Sequence, residues 1–581
     1  MFRISRKAAS GSNHGPTDEV RKTHEPRLPV KHSHNVFIGL VAGALLAIVW
    51  IAEARAQTTV PITGIGTHIA GPPFTIDTHV DSVTYLGPVV VQIEGVGDVF
   101  EIRGFVSGVG WGGSTTVVAR GINAHYDYQI PFVARWRARG QNNNLVVFHH
   151  GGVPALINPV LRDEALEGEA NQHRFAELHG DPAFGIPALL NHCVYASMNR
   201  RGLRGDGTFS ATYLTSEVAP LTDAEVAAIY LQLPPGFVHP GIYPGAPVPV
   251  NVATDAPTFR DINRALQEVL ASGIGTRFHT RICSGTSAGA RLGAFLNFGR
   301  SVIGTQSVRT GGNHVDPYNP DSPRIFDGFI LNGFPYVVGA ANADSELPIS
   351  APVMFLIGRA DERYQQPIQI AHELLTKGVP LDSAIRIYEV KGLNHAPRGI
   401  FQPVQPSDGD HLGCFASAAI HNMREWLLDG REPPVSRIAG RIEGGLLVID
   451  QAGGTTTNVA PILEDATIDF LVPGEPMIVP RTIDAAATVR WLAVTESLAH
   501  ENDAIIPPAI ACRVGGYRIK FQGVELFPFA PATLDAMYGG FEGYLECVQD
   551  VVADLEAERL YDPRVESAKA TARRSAELFP D

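Results

Sequence analysis

The sequence predicts an α/β protein built on a mostly parallel sheet with helices on both faces. Short, continuous apolar runs recur at residues 145–148, 193–197, 281–283, 328–331, 353–357 and 385–390, with helical stretches between them. Strands apolar on both sides suit a sheet covered on both faces, and intervening helices are the crossovers that parallel strands need. The composition agrees: 581 residues, 45% hydrophobic and only 18% charged, with 59 glycines and 43 prolines. Such a chain folds into one large or two ordinary domains rich in turns.

The N-terminus reads as a targeting segment. Residues 36–52 (VFIGLVAGALLAIVWIA) are uncharged, follow a basic stretch with Arg21, Lys22, Arg27 and Lys31, and precede Ala54-Arg55-Ala56-Gln57, a small-x-small cleavage pattern. Residues 1–56 are expected to be a signal peptide cleaved after Ala56, because no positive cluster follows to stop transfer; retention as a membrane anchor is the alternative. The leading 35 residues are long for a signal n-region, and a start at Val20 would shorten them.

Between residue 57 and about 137, β-rich runs punctuated by glycine, such as residues 89–93 and 102–106, predict antiparallel strands with tight turns. Further on, Thr222 with Glu225 predicts a capping box ahead of VAAIYLQL, and Thr258 with Asp261 predicts another ahead of INRALQEVL. Two inserts, the Pro/Gly/Tyr-rich residues 234–252 and the loop-like residues 304–324, fall where they would roof a pocket as lids. One domain over residues 57–435 is expected, with a β-leaning stretch and a helical tail over residues 436–581 as an extension packed on it.

Charge narrows the partners. Residues 1–56 hold eight Lys/Arg and four Asp/Glu, so their removal takes the formal charge from −14 to −18. An acidic body repels nucleic acid and anionic membrane surfaces. The chain shows no basic stripe, no glycine loop leading to Lys-Ser/Thr and no dinucleotide fingerprint. No nucleic-acid partner is expected, and no membrane partner once the signal is cleaved. All five cysteines lie beyond residue 56, and an odd count leaves at least one unpaired in a monomer. Cys193 and Cys283 fall in apolar runs and read as buried thiols, while Cys512 with Cys547 is the preferred bridge.

The chemistry concentrates at RICSGTSAGARLGAF, residues 281–295. Ser287 follows a strand and precedes a helix, with Gly285 and Gly289 making room for a sharp turn that exposes its Oγ. A serine hydroxyl needs a base to take its proton, and the base needs a third group to orient it. Asp361 follows the strand at residues 353–357, with Glu362 as its competitor, and His395 follows the strand at residues 385–390. The order nucleophile, acid, histidine, each after a strand, is that of a Ser-His-Asp triad. Backbone N–H groups of Ala288 and of Gly152 or its neighbour Gly151, in LVVFHHGGV, would form an oxyanion hole. No metal is expected: His149 and His150 have no carboxylate spaced to join them, no CxxC pair occurs, and Asp316, Asn319 and Asp321 lack EF-hand spacing and read as a solvated loop.

The stretches SGTSAGARLGAFLNFG, FDGFILNGFP, RIYEVKGLNHAP, WLLDGREPPVSR and the tail around Met537-Tyr538-Gly539-Gly540 and Tyr544 resemble the α/β-hydrolase superfamily. Within it they resemble the "alpha/beta hydrolase domain" family of long bacterial esterase-like proteins, from roughly Leu145 to the C-terminus. The resemblance implies the α/β-hydrolase fold and cofactor-free cleavage of a small-molecule carboxylic ester by Ser287, Asp361 and His395. Arg359 stands where relatives often carry an acidic residue, and the HHGG loop is nearer the HGGG turn of hormone-sensitive-lipase-type esterases. A weaker likeness is to tannases and feruloyl esterases, although Ser284 separates Cys283 from Gly285 and no cysteine adjoins His395. Amide or lactone cleavage, acyl transfer and ligand binding without catalysis stay open on the sequence, as does the oligomeric state.

Overall fold

The computed structural model describes residues 57–71, 74–111, 125–150, 181–199, 220–230, 244–245, 256–286, 288–298, 300–303, 306–309, 312–316, 319, 321–332, 350–358, 384–390, 412–437, 441–443, 446–451, 454–456, 468–470, 505–512, 514–520 and 523–579. Five strands come first: β1 (Gln57–Pro61), β2 (Gly66–Gly71), β3 (Phe74–Ile93), β4 (Gly97–Trp111) and β5 (His125–Arg137). They pair antiparallel, as their sequence predicts, but they are longer than the glycine-punctuated runs suggest. Glycine inside β4 marks close approach and not a turn. A Cβ on Gly104 would lie 1.9 Å from the Thr84 carbonyl oxygen, and one on Gly108 2.2 Å from that of His79. The true turn falls at Gly95 and Gly97, where φ is 76° and 94°.

The sheet continues with β6 (Asn144–His150), β7 (Val194–Asn199) and β8 (Thr280–Thr286). After a separate hairpin, β9 (Arg300–Ile303) and β10 (Gln306–Arg309), come β11 (Gly328–Asn332), β12 (Val353–Gly358) and β13 (Ile385–Val390). The order across the sheet is β1-β3-β4-β5-β7-β6-β8-β11-β12-β13, with β2 also on β3. From β7 to β13 every pairing is parallel, and β5 runs against β7. The hairpin lies partly within residues 304–324, which were expected to form a loop. Residues 304–305 alone connect its strands, and a Gly-x pair between β-prone residues is a hairpin signal.

Helices cover both faces. The described ones are α1 (Ile186–Leu190), α2 (Asp223–Tyr230), α3 (Ala256–Ile274), α4 (Ala288–Phe298) and α5 (Leu412–Asp429), then α6 (Pro508–Ala511), α7 (Pro531–Tyr538), α8 (Phe541–Ala557) and α9 (Ala568–Arg573). Alternation along the parallel strands turns Leu145, Val147, Cys283, Phe329, Leu331 and Phe355 toward α3 and α4. It turns Val146, Phe148, Ile282, Ile330, Met354 and Leu356 toward α1 and α5. Each such side chain contributes about 1.5–3 kcal/mol on burial, which is why these strands read as unbroken apolar runs. This is the α/β-hydrolase architecture.

The two capping patterns part company. Thr222 and Glu225 form the reciprocal box: the Thr222 N–H donates to Glu225 at 2.8 Å, and the Glu225 N–H donates to Thr222 Oγ1 at 3.3 Å. Helix α3, however, already begins at Ala256, so Thr258 and Asp261 lie inside it, 1% and 3% exposed. Residues three apart share a helix face, and here that face packs on the antiparallel strands. Thr258 Oγ1 accepts from the Trp111 N–H at 3.2 Å. Asp261 accepts from the hydroxyls of Thr67 at 2.9 Å and Thr78 at 2.6 Å. Buried Arg260 sits beside that carboxylate, its Nε 3.6 Å away.

Beyond residue 435 the chain closes the edge of the sheet. Arg437 donates to the Ile387 carbonyl and accepts from the Glu389 N–H, both at 2.8 Å, and Ile505 donates to the Glu389 carbonyl at 2.8 Å. Covering the β13 edge in this way blocks pairing with another chain. Four small antiparallel pairings follow: β14 (Arg441–Glu443) with β15 (Leu446–Gln451), β15 with β16 (Gly454–Thr456), β17 (Ile468–Phe470) with β18 (Gly515–Lys520), and β18 with β19 (Gly523–Pro528). Helix α5 is tied to the tail by Ser417 donating to Asp562 at 2.5 Å and Arg559 pairing with Glu425 at 2.6 Å. Cys512 is bridged to Cys547 across 35 residues, the pair preferred from the sequence, and Cys193, Cys283 and Cys414 are buried free thiols. Closing a loop of that length stabilises by roughly 3–4 kcal/mol. No helix among the described residues is long and apolar enough to cross a membrane.

Candidate functional site

Parallel pairing puts the carboxyl ends of β6, β8, β11, β12 and β13 on one edge of the sheet. The register fixes how they align: His149 stands beside Gly285, Thr286 beside Asn332, and Gly358 beside Val390. In open parallel sheets this edge is where reacting groups gather. Gly151 and Gly152 follow β6, Ser287 follows β8, Asp361 comes three residues after β12 ends, and His395 five after β13 ends. Those five residues lie outside the described ones, whereas Ala288 is the first residue of α4.

The junction at Ser287 is a short one. Strand β8 ends at Thr286 and helix α4 starts at Ala288, so one residue connects them. The flanking glycines are there because backbone meets backbone. A Cβ on Gly285 would lie 2.6 Å from the Gly289 carbonyl carbon and 2.8 Å from the Ala290 nitrogen. A Cβ on Gly289 would lie 1.9 Å from the His149 carbonyl oxygen. Helix α4 is thereby seated against the ends of both β6 and β8. The first turn of an α-helix leaves backbone N–H groups without partners inside the helix, and Ala288 opens that turn in α4.

His149, on β6, is fully buried and faces α3. Asn263 of α3 donates its amide to the Phe259 carbonyl at 2.6 Å, which turns its Oδ1 to His149 Nε2 at 3.1 Å. Nε2 therefore carries the proton, and Nδ1 is a buried acceptor without a partner. Burial disfavours the imidazolium and lowers the pKa to about 4, against a smaller opposing effect of the Asn263 hydrogen bond. With the folded value below the ordinary 6.5, the unfolded chain binds the extra proton between pH 6.5 and 4. Stability therefore falls as the solution is acidified through that window, by about 3 kcal/mol from this one group. Denaturant midpoints at pH 7 and pH 4 should show the loss, and His149→Gln should remove that share of it.

Reading by motif misses His149 with Asn263, Thr286 and Asn332, all buried polar residues on or beneath this edge. Strand alternation alone places Thr286 and Asn332 on one face, but nothing local in the sequence says that they are buried there, 7% and 1% exposed. The loop with Asp316, Asn319 and Asp321 is closed on itself: Asn319 Oδ1 accepts from the Asp321 N–H and Ser322 Oγ from the Asp316 N–H, both at 3.0 Å. No group of three or more His, Cys, Asp or Glu side chains among the described residues could hold a metal ion. A cleft of about 210 Å³ is lined by Glu94, Ile186, Leu190, Leu412 and Arg564 among others, and none of the strand-end residues contributes to it.

No protein-family model and no curated protein matches the chain. Solved structures similar to it include an S-formylglutathione hydrolase from Agrobacterium tumefaciens, 10% identical, covering 58% of this chain and 98% of that one, with a TM-score of 0.27. A cold-adapted esterase from an Arctic intertidal metagenomic library is 13% identical, covering 52% and 87%, with a TM-score of 0.25. An aminopeptidase from a marine sediment archaeon, Thaumarchaeota archaeon, is 11% identical, covering 63% and 67%, with a TM-score of 0.29. Likenesses of this size do not bear on activity.

Proposed function

We propose that this chain is a serine hydrolase of the "alpha/beta hydrolase domain" family that cleaves carboxylic esters of small molecules. Ser287 is the nucleophile, His395 the base and Asp361 the group that orients it. The observation that carries this reading is the junction of β8 and α4. A single residue between a buried strand and a helix, at the carboxyl edge of a parallel sheet, is presented outward when backbone packs against backbone on either side. Here Gly285 and Gly289 make those two contacts. The strands that lead to Asp361 and His395 end on the same edge.

In this mechanism His395 takes the Ser287 proton as Oγ attacks the ester carbonyl carbon. The resulting oxyanion accepts hydrogen bonds from the backbone N–H of Ala288 and of Gly152 or Gly151. Collapse breaks the bond to the alcohol, which leaves with the proton from His395. Water, deprotonated by His395 in turn, attacks the acyl-enzyme and releases the acid. No cofactor or metal is required. The proposal places catalysis in residues 57–435, with residues 436–581 packed upon them, and export to the periplasm or the exterior after cleavage at Ala56.

Rapid mixing with aryl esters graded by acyl length and aromaticity tests this directly. A burst of alcohol equal to the enzyme concentration, followed by slower turnover, is expected for the best substrates. Absence of both burst and turnover across the panel would remove the proposal.

A further inference from the structure

At the amino ends of β6 and β7, the edge of the sheet opposite the β8–α4 junction, basic side chains gather around one turn. The turn is Asn191–His192, where His192 takes a left-handed φ of 60°. A residue other than glycine is uncommon there, and such conformations gather at functional sites. Asn142 fixes the turn, its N–H donating to the His192 carbonyl at 2.8 Å and its side-chain amide to that of Asn191 at 2.9 Å. From α5, Arg424 Nη1 donates to the Asn191 carbonyl at 3.1 Å, and from beyond α8, Arg564 Nη2 donates to Asn191 Oδ1 at 3.4 Å. Arg137 ends β5 and donates to the Val96 carbonyl at 3.1 Å; Gly140, three residues on, lies against the His192 ring. The acids nearby are already taken. Asp562 is held by Arg564 through both oxygens, at 2.9 and 2.7 Å, and Glu425 by Arg559 and Arg431, at 2.6 and 3.1 Å. Among the described residues no carboxylate pairs with Arg137 or Arg424, and Arg424 Nε is buried without a hydrogen-bond partner. Burial, and after it the charge of Arg137 with those of Arg564 and Arg424, lowers the His192 pKa, against an opposing effect of the Gly140 backbone. Guanidinium groups gathered without a carboxylate repel one another, in a chain with 60 acidic against 46 basic residues to draw on, and an anion relieves that repulsion.

We infer that Arg137, His192 and Arg424 form a binding site for a doubly charged oxyanion, a phosphate group being the class it suits. Guanidinium forks supply paired donors of the geometry that phosphate oxygens accept, and the imidazole supplies a further one. Arg564, neutralised by Asp562, leads from this turn to the cleft of about 210 Å³ that it lines with Ile186, Leu190 and Leu412. Of the acids on that cleft, Glu566 is paired with Arg574 at 2.5 Å and Glu94 is exposed. An apolar group attached to the phosphate would lie there. A bound dianion favours protonated His192, so binding should tighten as the pH falls. The site makes no use of Ser287 and stands or falls without the triad.

The test is calorimetric titration of the full chain with sulfate, which keeps both charges from about pH 8.5 to about pH 5, at constant ionic strength in chloride. One sulfate per chain should bind, about tenfold more tightly at the acid end of that range than at the basic end. Arg137→Gln and Arg424→Gln keep a donor for the Val96 and Asn191 carbonyls, and each should weaken binding about tenfold or more throughout. His192→Asn suits the left-handed backbone and should bind sulfate with the pH dependence gone. Melting curves in chloride, with midpoints within a few degrees of the wild type, show that the variants fold. Inorganic phosphate and hexyl phosphate then separate two sources of the group. Tighter hexyl phosphate supports a phosphorylated small molecule seated in the cleft, and equal or weaker hexyl phosphate supports the free anion. The wild-type titration is decisive by itself: no saturable binding at any pH overturns the inference, and so does binding that all three variants keep unchanged.

Discussion

Ser287→Ala lowers ester turnover by about four to six orders of magnitude, with the thermal midpoint within a few degrees of the wild type. The hydroxyl is the atom that bonds to the acyl group, so its loss leaves only binding and oxyanion stabilisation, which by themselves sustain a small residual rate. The fold is spared because the backbone at this junction is set by Gly285 and Gly289, not by the serine side chain. Steady-state rates and melting curves measured on one preparation separate the two effects. Turnover within tenfold of wild type would mean that the nucleophile lies elsewhere.

Gly289→Ala is the second large effect, and it acts through position. One added methyl group would sit 1.9 Å from the His149 carbonyl oxygen and 2.6 Å from its carbon, both backbone atoms that cannot swing aside. Either α4 lifts from the sheet or the end of β6 shifts, and both carry parts of the proposed oxyanion hole. Overpacking in an ordinary core costs about 1–3 kcal/mol, and a backbone obstacle should cost more. A displacement of about 1 Å near reacting groups lowers rates by about a hundredfold even when the protein still folds. Gly293→Ala, four residues along the same helix, is the control. Its methyl group meets the end of the Leu331 side chain at 2.6 Å, which can rotate, and the helix gains about 1 kcal/mol in propensity. Chemical denaturation and turnover of the two variants should therefore diverge sharply; equal behaviour would contradict the backbone-contact explanation of Gly289.

Much of the sheet was legible because continuous apolar runs such as residues 353–357 and 385–390 have few alternatives once helices lie between them. What escaped depended on partners distant in the chain. Thr258 and Asp261 carry the pattern of a helix start, and nothing local says that Thr67, Thr78 and Trp111 will claim them instead. Glycine misled for a related reason: in β4 it answers to a neighbouring strand, which a single run of sequence does not reveal. At the site, the spacing of glycines about Ser287 was readable because a one-residue passage from strand to helix is a local device. Asp361 and His395 are proposed only from counting strands, and Asn332 has no local signal beyond ending one.

The most direct test of serine catalysis assisted by histidine is mass spectrometry after fluorophosphonate treatment of the wild type and of His395→Ala. One adduct per chain, on the peptide carrying Ser287 and slowed by several orders of magnitude in His395→Ala, is the predicted result. An adduct on another residue, or equal labelling in the two proteins, would contradict it.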